Sequence, residues 1–263
     1  MRSRLPALLL LFLPVLLAGC GGEPRPLPPS AAELSAAEAR YLGGDYAGAE
    51  GAYRQAALAG DPAAAGWWGR ILLKLERYLD AERAFRMALE GAGGRLAAAD
   101  GARARLGLAD AILAEGRPAE AMAAYTRVLL DPEALRHLDP AQVTYKAGIA
   151  GLRAGLWEEA EGSFHRLTSS WPESPFAAQA RQRLEDAASR TFSIQHGAFA
   201  TAEAADRFLK KLTAEGIGAR VVVLKRGADL LYAVRSGSFP TYEEASRAAG
   251  LFRVRGREGV VVP

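Results

Sequence analysis

Four blocks of this chain repeat one pattern, and that repetition restricts the fold more than any other feature. The blocks are GDYAGAEGAYRQAA from Gly44, ERYLDAERAFRMAL from Glu76, GRPAEAMAAYTRVL from Gly116 and GLWEEAEGSFHRLT from Gly155. Each centres on an alanine (Ala49, Ala81, Ala121, Ala160), followed four residues later by an aromatic (Tyr53, Phe85, Tyr125, Phe164). Residues four apart share a helix face. The small residue lets a second helix approach closely, and the aromatic one turn on fills the gap beside it. From about Ser30 to Arg190 the sequence keeps a helical period with no strand-like stretch. A hairpin of this size cannot bury its apolar face alone, so successive hairpins must stack. Residues 31–190 are therefore expected to form an all-α solenoid. The alanines are 32, 40 and 39 residues apart, and the two longer intervals hold loop-like GAGGR from Gly91 and DPEALRHLDP from Asp131. The stretch from Ser169 to Asp186 reads as a capping helix.

These blocks resemble the tetratricopeptide repeat, whose glycine on the first helix matches Gly69 and Gly148 and whose terminal proline matches Pro172. Ala37 and Ala109 stand at that glycine position in the other two repeats, and repeat one ends in Asp61-Pro62. The resemblance implies a concave groove for a protein or peptide partner. Trp67 and Trp68 are candidates for its lining, with a core role for at least one of them. A spacer role is the plainer alternative.

After Arg190 the period changes. TFSIQHGAF (Thr191 to Phe199) alternates as a strand does, a helix follows to Gly216, and ARVVVLK (Ala219 to Lys225) is a second strand. The order then recurs: LLYAVRSGSF from Leu230, a helix from Thr241 to about Phe252, and GVVVP from Gly259. The halves align at an offset of 40 residues, with Gly197/Gly237, Phe199/Phe239, Thr201/Thr241, Glu203/Glu243, Ala205/Ala245 and Arg207/Arg247 identical. Two such halves predict a small α+β split β-α-β fold of ferredoxin type, with the first and third strands central and both helices on one face. Residues 191–263 are expected to fold separately from the solenoid.

FSIQHGAF and YAVRSGSF resemble the two strand motifs of the SPOR domain, and the resemblance covers the whole of residues 191–263. It implies recognition of septal peptidoglycan, specifically glycan strands stripped of their peptides. If Phe192, Ile194 and His196 face the helices, alternation puts Ser193, Gln195 and Gly197 on the open face, with Leu231, Ala233 and Arg235 beside them. These six and Ala198 are the expected glycan-binding residues. Gln195 offers a donor and an acceptor to sugar hydroxyls and acetamido groups, Gly197 leaves the backbone accessible, and Arg235 can bind a carboxylate or carbonyl. The family often carries arginine where this chain has Ala233.

The N-terminus sets the compartment. Arg2 and Arg4 precede an apolar run from Leu5 to Gly19 that contains Pro6 and Pro14. The run has signal-peptide proportions and is short for a membrane span. It ends Leu17-Ala18-Gly19-Cys20, which resembles the bacterial lipobox; the resemblance implies cleavage after residue 19 and lipidation of Cys20. Gly21, in place of the aspartate that retains such proteins in the inner membrane, implies sorting to the periplasmic side of the outer membrane. Gly21 to Ser30, with four prolines, reads as an extended tether reaching about 30 Å.

Charge and residue inventory then narrow the function. Without Arg2 and Arg4 the chain holds 31 basic and 30 acidic residues, which gives no reason to expect nucleic acid. Residues 191–263 alone carry 11 Lys and Arg against 7 Asp and Glu, a mildly basic module suited to an anionic polymer. An RNA-binding domain of the same topology stacks bases on aromatics of its central strands, and Ser193, Gln195, Leu231 and Arg235 supply none. A hydrolase would draw on His137, His165 and His196, which lack metal-ligand spacing, while the lone Cys20 has no cysteine partner. The expectation is a binding protein, not an enzyme, with no cofactor and no metal. Its partners are glycan strands, the membrane through lipid, and a protein in the groove. The rival expectation is an envelope-assembly scaffold whose function lies in the repeats, with the C-terminal module only localising it.

Overall fold

A computed structural model describes residues 27–91, 96–186, 190–226, 229–254 and 256–262. The expected signal sequence, Cys20 and most of the expected tether lie outside these residues. No helix among the described residues is long and apolar enough to cross a membrane.

The first unit is built from helical hairpins. Its helices are α1 (Ala31–Leu42), α2 (Tyr46–Leu58), α3 (Pro62–Lys74), α4 (Tyr78–Glu90), α5 (Ala98–Ala114), α6 (Pro118–Leu129), α7 (Pro132–Leu135), α8 (Pro140–Ala154), α9 (Trp157–Ser170) and α10 (Pro175–Asp186). The repeated blocks form α2, α4, α6 and α9, and each packs on the helix before it. Ala49, Ala81, Ala121 and Ala160 are wholly buried, as are Phe85, Tyr125 and Phe164, with Tyr53 nearly so. The glycines opposite show why. A β-carbon on Gly69 would sit 2.8 Å from the Phe85 ring, and one on Gly148 would sit 2.5 Å from Phe164. Gly107 of the next repeat clears the other side of Phe85, where a β-carbon would lie 2.3 Å away. One ring therefore ties two repeats together. Proline at the first helical position and an aspartate cap start α3, α7 and α8, which leaves few orphan N–H groups at these entries.

The interval from Asp131, read as loop, contains the single-turn α7. Asp131 caps it, accepting from Glu133 and Ala134 N–H, and Ala134 is buried against the core of α5, α6 and α8. Both tryptophans pack rather than project. Trp67 stacks on Tyr53 with ring centres 5.6 Å apart, and Trp68 Nε1 donates to Glu50 at 3.3 Å.

The second unit contains β1 (Phe192–Phe199), α11 (Ala202–Ala214), β2 (Ala219–Arg226), β3 (Asp229–Phe239), α12 (Tyr242–Val254) and β4 (Val260–Val262). The sheet order is β2-β3-β1-β4 with every neighbouring pair antiparallel, and both helices cover one face. The internal repeat is visible in the caps: Thr201 Oγ1 accepts from Ala204 N–H, and Thr241 Oγ1 from Glu244 N–H, at the same offset. The core joins Ala205, Leu212, Ile217 and Val234, with Phe199, Phe208 and Tyr232 against them.

The two units touch through an aromatic and ionic contact. Phe192, at the start of β1, packs on Trp157 of α9 with ring centres 4.9 Å apart and meets Tyr242 edge-on at 5.8 Å. Arg153 of α8 lies over the Tyr242 ring at 5.3 Å. Arg190 reaches back to Glu158 and Glu161 of α9 at 3.7 and 3.6 Å. Phe192 is 1% exposed, so part of the second unit's apolar surface is buried against the first.

Candidate functional site: the open face of the sheet

Strand register assembles the face that the helices leave uncovered. Across all four strands one row runs Arg220, Arg235, Gln195, Val260. The next row is Val222, Ala233, Ala198, and beyond it Leu224 pairs with Leu231. On the other side Ser193 pairs with Val262. A polar row is thus bordered by apolar side chains on both sides. At its centre Arg235 Nε donates to Gln195 Oε1 at 3.3 Å.

Gly197 does not lie in this face. Simple alternation places it beside Gln195, but the β1–β3 register shifts between Gln195 and Gly197. The extra residue, His196, reverses every later side chain, as a β-bulge does. Gly197 therefore pairs with the core residue Val234, and a β-carbon on it would lie 3.0 Å from the Phe199 ring and 3.7 Å from Phe208 of α11. Its absent side chain makes room for Phe199. The other half repeats the device, since Gly237, at φ +70°, clears Phe239. Ala198 takes the open-face position and is exposed.

The remaining expected residues divide by exposure. Gln195 and Leu231 are half-buried. Ser193 (4% exposed), Ala233 (0%) and Arg235 (8%) lie in the floor of the face. Ala233, where the family often has arginine, leaves the floor flat and apolar at that point. Arg220, Val222 and Val260 also line the face, and sequence reasoning missed them. The signal was present: alternation in ARVVVLK already put Arg220 on the side of Val222 and Leu224.

His196 lies on the helix side. Its Nε2 is 2.7 Å from Ser236 Oγ, and its ring meets Phe252 edge-on at 5.0 Å. Burial pushes its pKa below the usual histidine value and the Arg257 charge adds to this, against partial opposition from the backbone of Glu258. His137 sits 3.6 Å from Glu133, and His165 is exposed on α9. The three histidines are dispersed, and among the described residues no group of His, Cys, Asp or Glu is arranged to hold a metal ion.

The solenoid offers a second surface. The first helices of successive hairpins, α1, α3, α5 and α8, line a groove of about 490 Å³ with Tyr41, Arg70, Leu73, Lys74, Arg103, Leu106, Asp110 and Gln142. Arg70 stacks over Trp67 at 4.2 Å, which holds its guanidinium against the wall. Asp110 is occupied, accepting from Tyr125 Oη and Lys146 Nζ, each at 2.6 Å. The cations Arg70 and Lys74 make no ion pair among the described residues, so the groove is electropositive.

Residues 188–263 match the family model described as SPOR domain. No curated protein matches the chain. Among solved structures, one similar chain is described as "Crystal structure of YrrB: a TPR protein with an unusual peptide-binding site". It is 15% identical, with 72% of this chain and 93% of that one covered and a TM-score of 0.45. Residues 188–263 are thus a SPOR domain, which follows a region of stacked helical hairpins.

Proposed function

We propose that this protein is a periplasmic lipoprotein, anchored through Cys20, that binds denuded septal glycan strands on the open sheet face and a protein partner in the solenoid groove. The observation that carries the reading is the Gln195–Arg235 pair on the central strands between apolar rows. Amide and guanidinium supply donors and acceptors for hydroxyl and acetamido groups, while Ala198, Val222 and Leu231 suit the apolar faces of sugar rings. The electropositive groove around Arg70 and Lys74 suits an extended, acidic segment of a partner protein. The lipobox-like Leu17-Ala18-Gly19-Cys20 and the following Gly21 support an outer-membrane anchor.

A fluorescent fusion of the protein, exported to the periplasm, tests the reading in cells. It is expected to collect at division sites and to spread around the envelope when residues 191–263 are deleted. Unchanged septal enrichment in the deletion would overturn it. A second reading is favoured by the groove's charge: the repeats act as an envelope-assembly scaffold and the SPOR domain only localises them. On that view the same deletion loses localisation while assembly continues.

A further inference from the structure

The polar row of the open face contains a feature that sugar hydroxyls alone do not require. Arg220 of β2 and Arg235 of β3 are directly paired across neighbouring strands, on the same face. Strands lie about 5 Å apart, and like charges directly opposite each other disfavour the pairing. Arg220 is exposed, and its Nη1 donates to Gly237 O at 3.2 Å, which ties one end of the guanidinium to the sheet and uses one of its five N–H donors. Among the described residues no carboxylate forms an ion pair with Arg220.

An exposed guanidinium, tethered at one end and set in register beside a second arginine, is a receptor for a planar anion. The glycan-binding reading, on which this inference rests, supplies one. Each muramic acid of peptidoglycan carries a lactyl group joined to the peptide stem by an amide. Hydrolysis of that amide, which adds water across the C–N bond, releases the stem's amine and leaves a carboxylate on the sugar. An intact strand presents a neutral amide at the same atom. We propose that Arg220, with Arg235 behind it, reads the lactyl carboxylate, so that this domain distinguishes stripped from intact strands by a charge on the sugar itself.

The test uses the purified full chain and two probes. One is amidase-treated glycan strands. The other is the same strands with their carboxylates converted to neutral methylamides by carbodiimide and methylamine. The wild type is expected to bind the carboxylate form roughly fivefold more tightly at low salt, with the preference shrinking as salt rises. Arg220→Gln is expected to bring the ratio near one, and Arg220→Lys, which keeps the charge and loses the fork, to restore part of it. Thermal melts of each variant establish that the exposed substitution leaves folding intact. Equal binding of both probes by the wild type, or a full preference retained in Arg220→Gln, would overturn charge reading while leaving glycan binding in place. Binding of neither probe would overturn the glycan reading and this inference with it.

Discussion

Gln195 and Arg235 occupy the same position in the two halves of the SPOR domain, 40 residues apart, and join across the central strands by an Nε–H···Oε1 hydrogen bond of 3.3 Å. The internal repeat has diverged at this point into a complementary pair, an acceptor on one strand and a cation on the other. Gln195→Ala removes the acceptor and the amide donors without touching the helix-side core. The variant is expected to melt close to wild type and to bind glycan about tenfold more weakly, the equivalent of one or two hydrogen bonds to a neutral ligand. Sedimentation with sacculi measures this.

Phe192 couples the two units through Trp157 and Tyr242. Phe192→Ala is expected to cost roughly 3–5 kcal/mol, as truncation of a buried aromatic does, and to weaken the contact between the units. Wild type should show one coincident transition by far-UV circular dichroism and Trp fluorescence, and Phe192→Ala two. Two transitions in the wild type would mean that the interface contributes little.

Ala121 is wholly buried where α6 meets its neighbours. Ala121→Leu forces three extra carbons into a close contact and is expected to cost about 1–3 kcal/mol. Because the units share an interface, part of this loss should reach the SPOR domain. Calorimetry of the variant, alone and combined with Phe192→Ala, separates the two contributions.

His196 makes the SPOR domain acid-sensitive. Its native pKa lies below the ordinary value of about 6.5, so the unfolded state takes up the proton first. The stability this contributes is complete above that value and is lost as pH falls through the lowered native pKa. Denaturant midpoints should drop between pH 7 and pH 5 in the wild type, and drop less in His196→Phe. Equal slopes would assign the acid sensitivity to other groups.

Much of this was legible in the sequence for a physical reason: periodicity reports which side of an element is buried. Ala49, Ala81, Ala121 and Ala160, with their aromatics, announced the hairpins because close helix contact demands small and large residues one turn apart. The 40-residue echo announced the split β-α-β topology. The bulge at His196 was illegible, because FSIQHGAF alternates acceptably in either register and only pairing with β3 exposes the extra residue. That is why Gly197 was expected on the wrong face and why Ala198 replaces it there. The floor positions of Ser193 and Arg235 were equally hidden, since alternation gives a side chain's direction but not its depth. The Phe192–Trp157 contact joins residues that each satisfied the pattern of their own unit. Nothing in either pattern pointed outward.

The proposed function rests on recognition of stripped glycan by the sheet face. It is tested most directly by measuring the protein's binding to purified sacculi before and after amidase digestion. Markedly more binding is expected after digestion, and loss of that gain in Gln195→Ala. Equal binding to treated and untreated sacculi by the folded protein would contradict it.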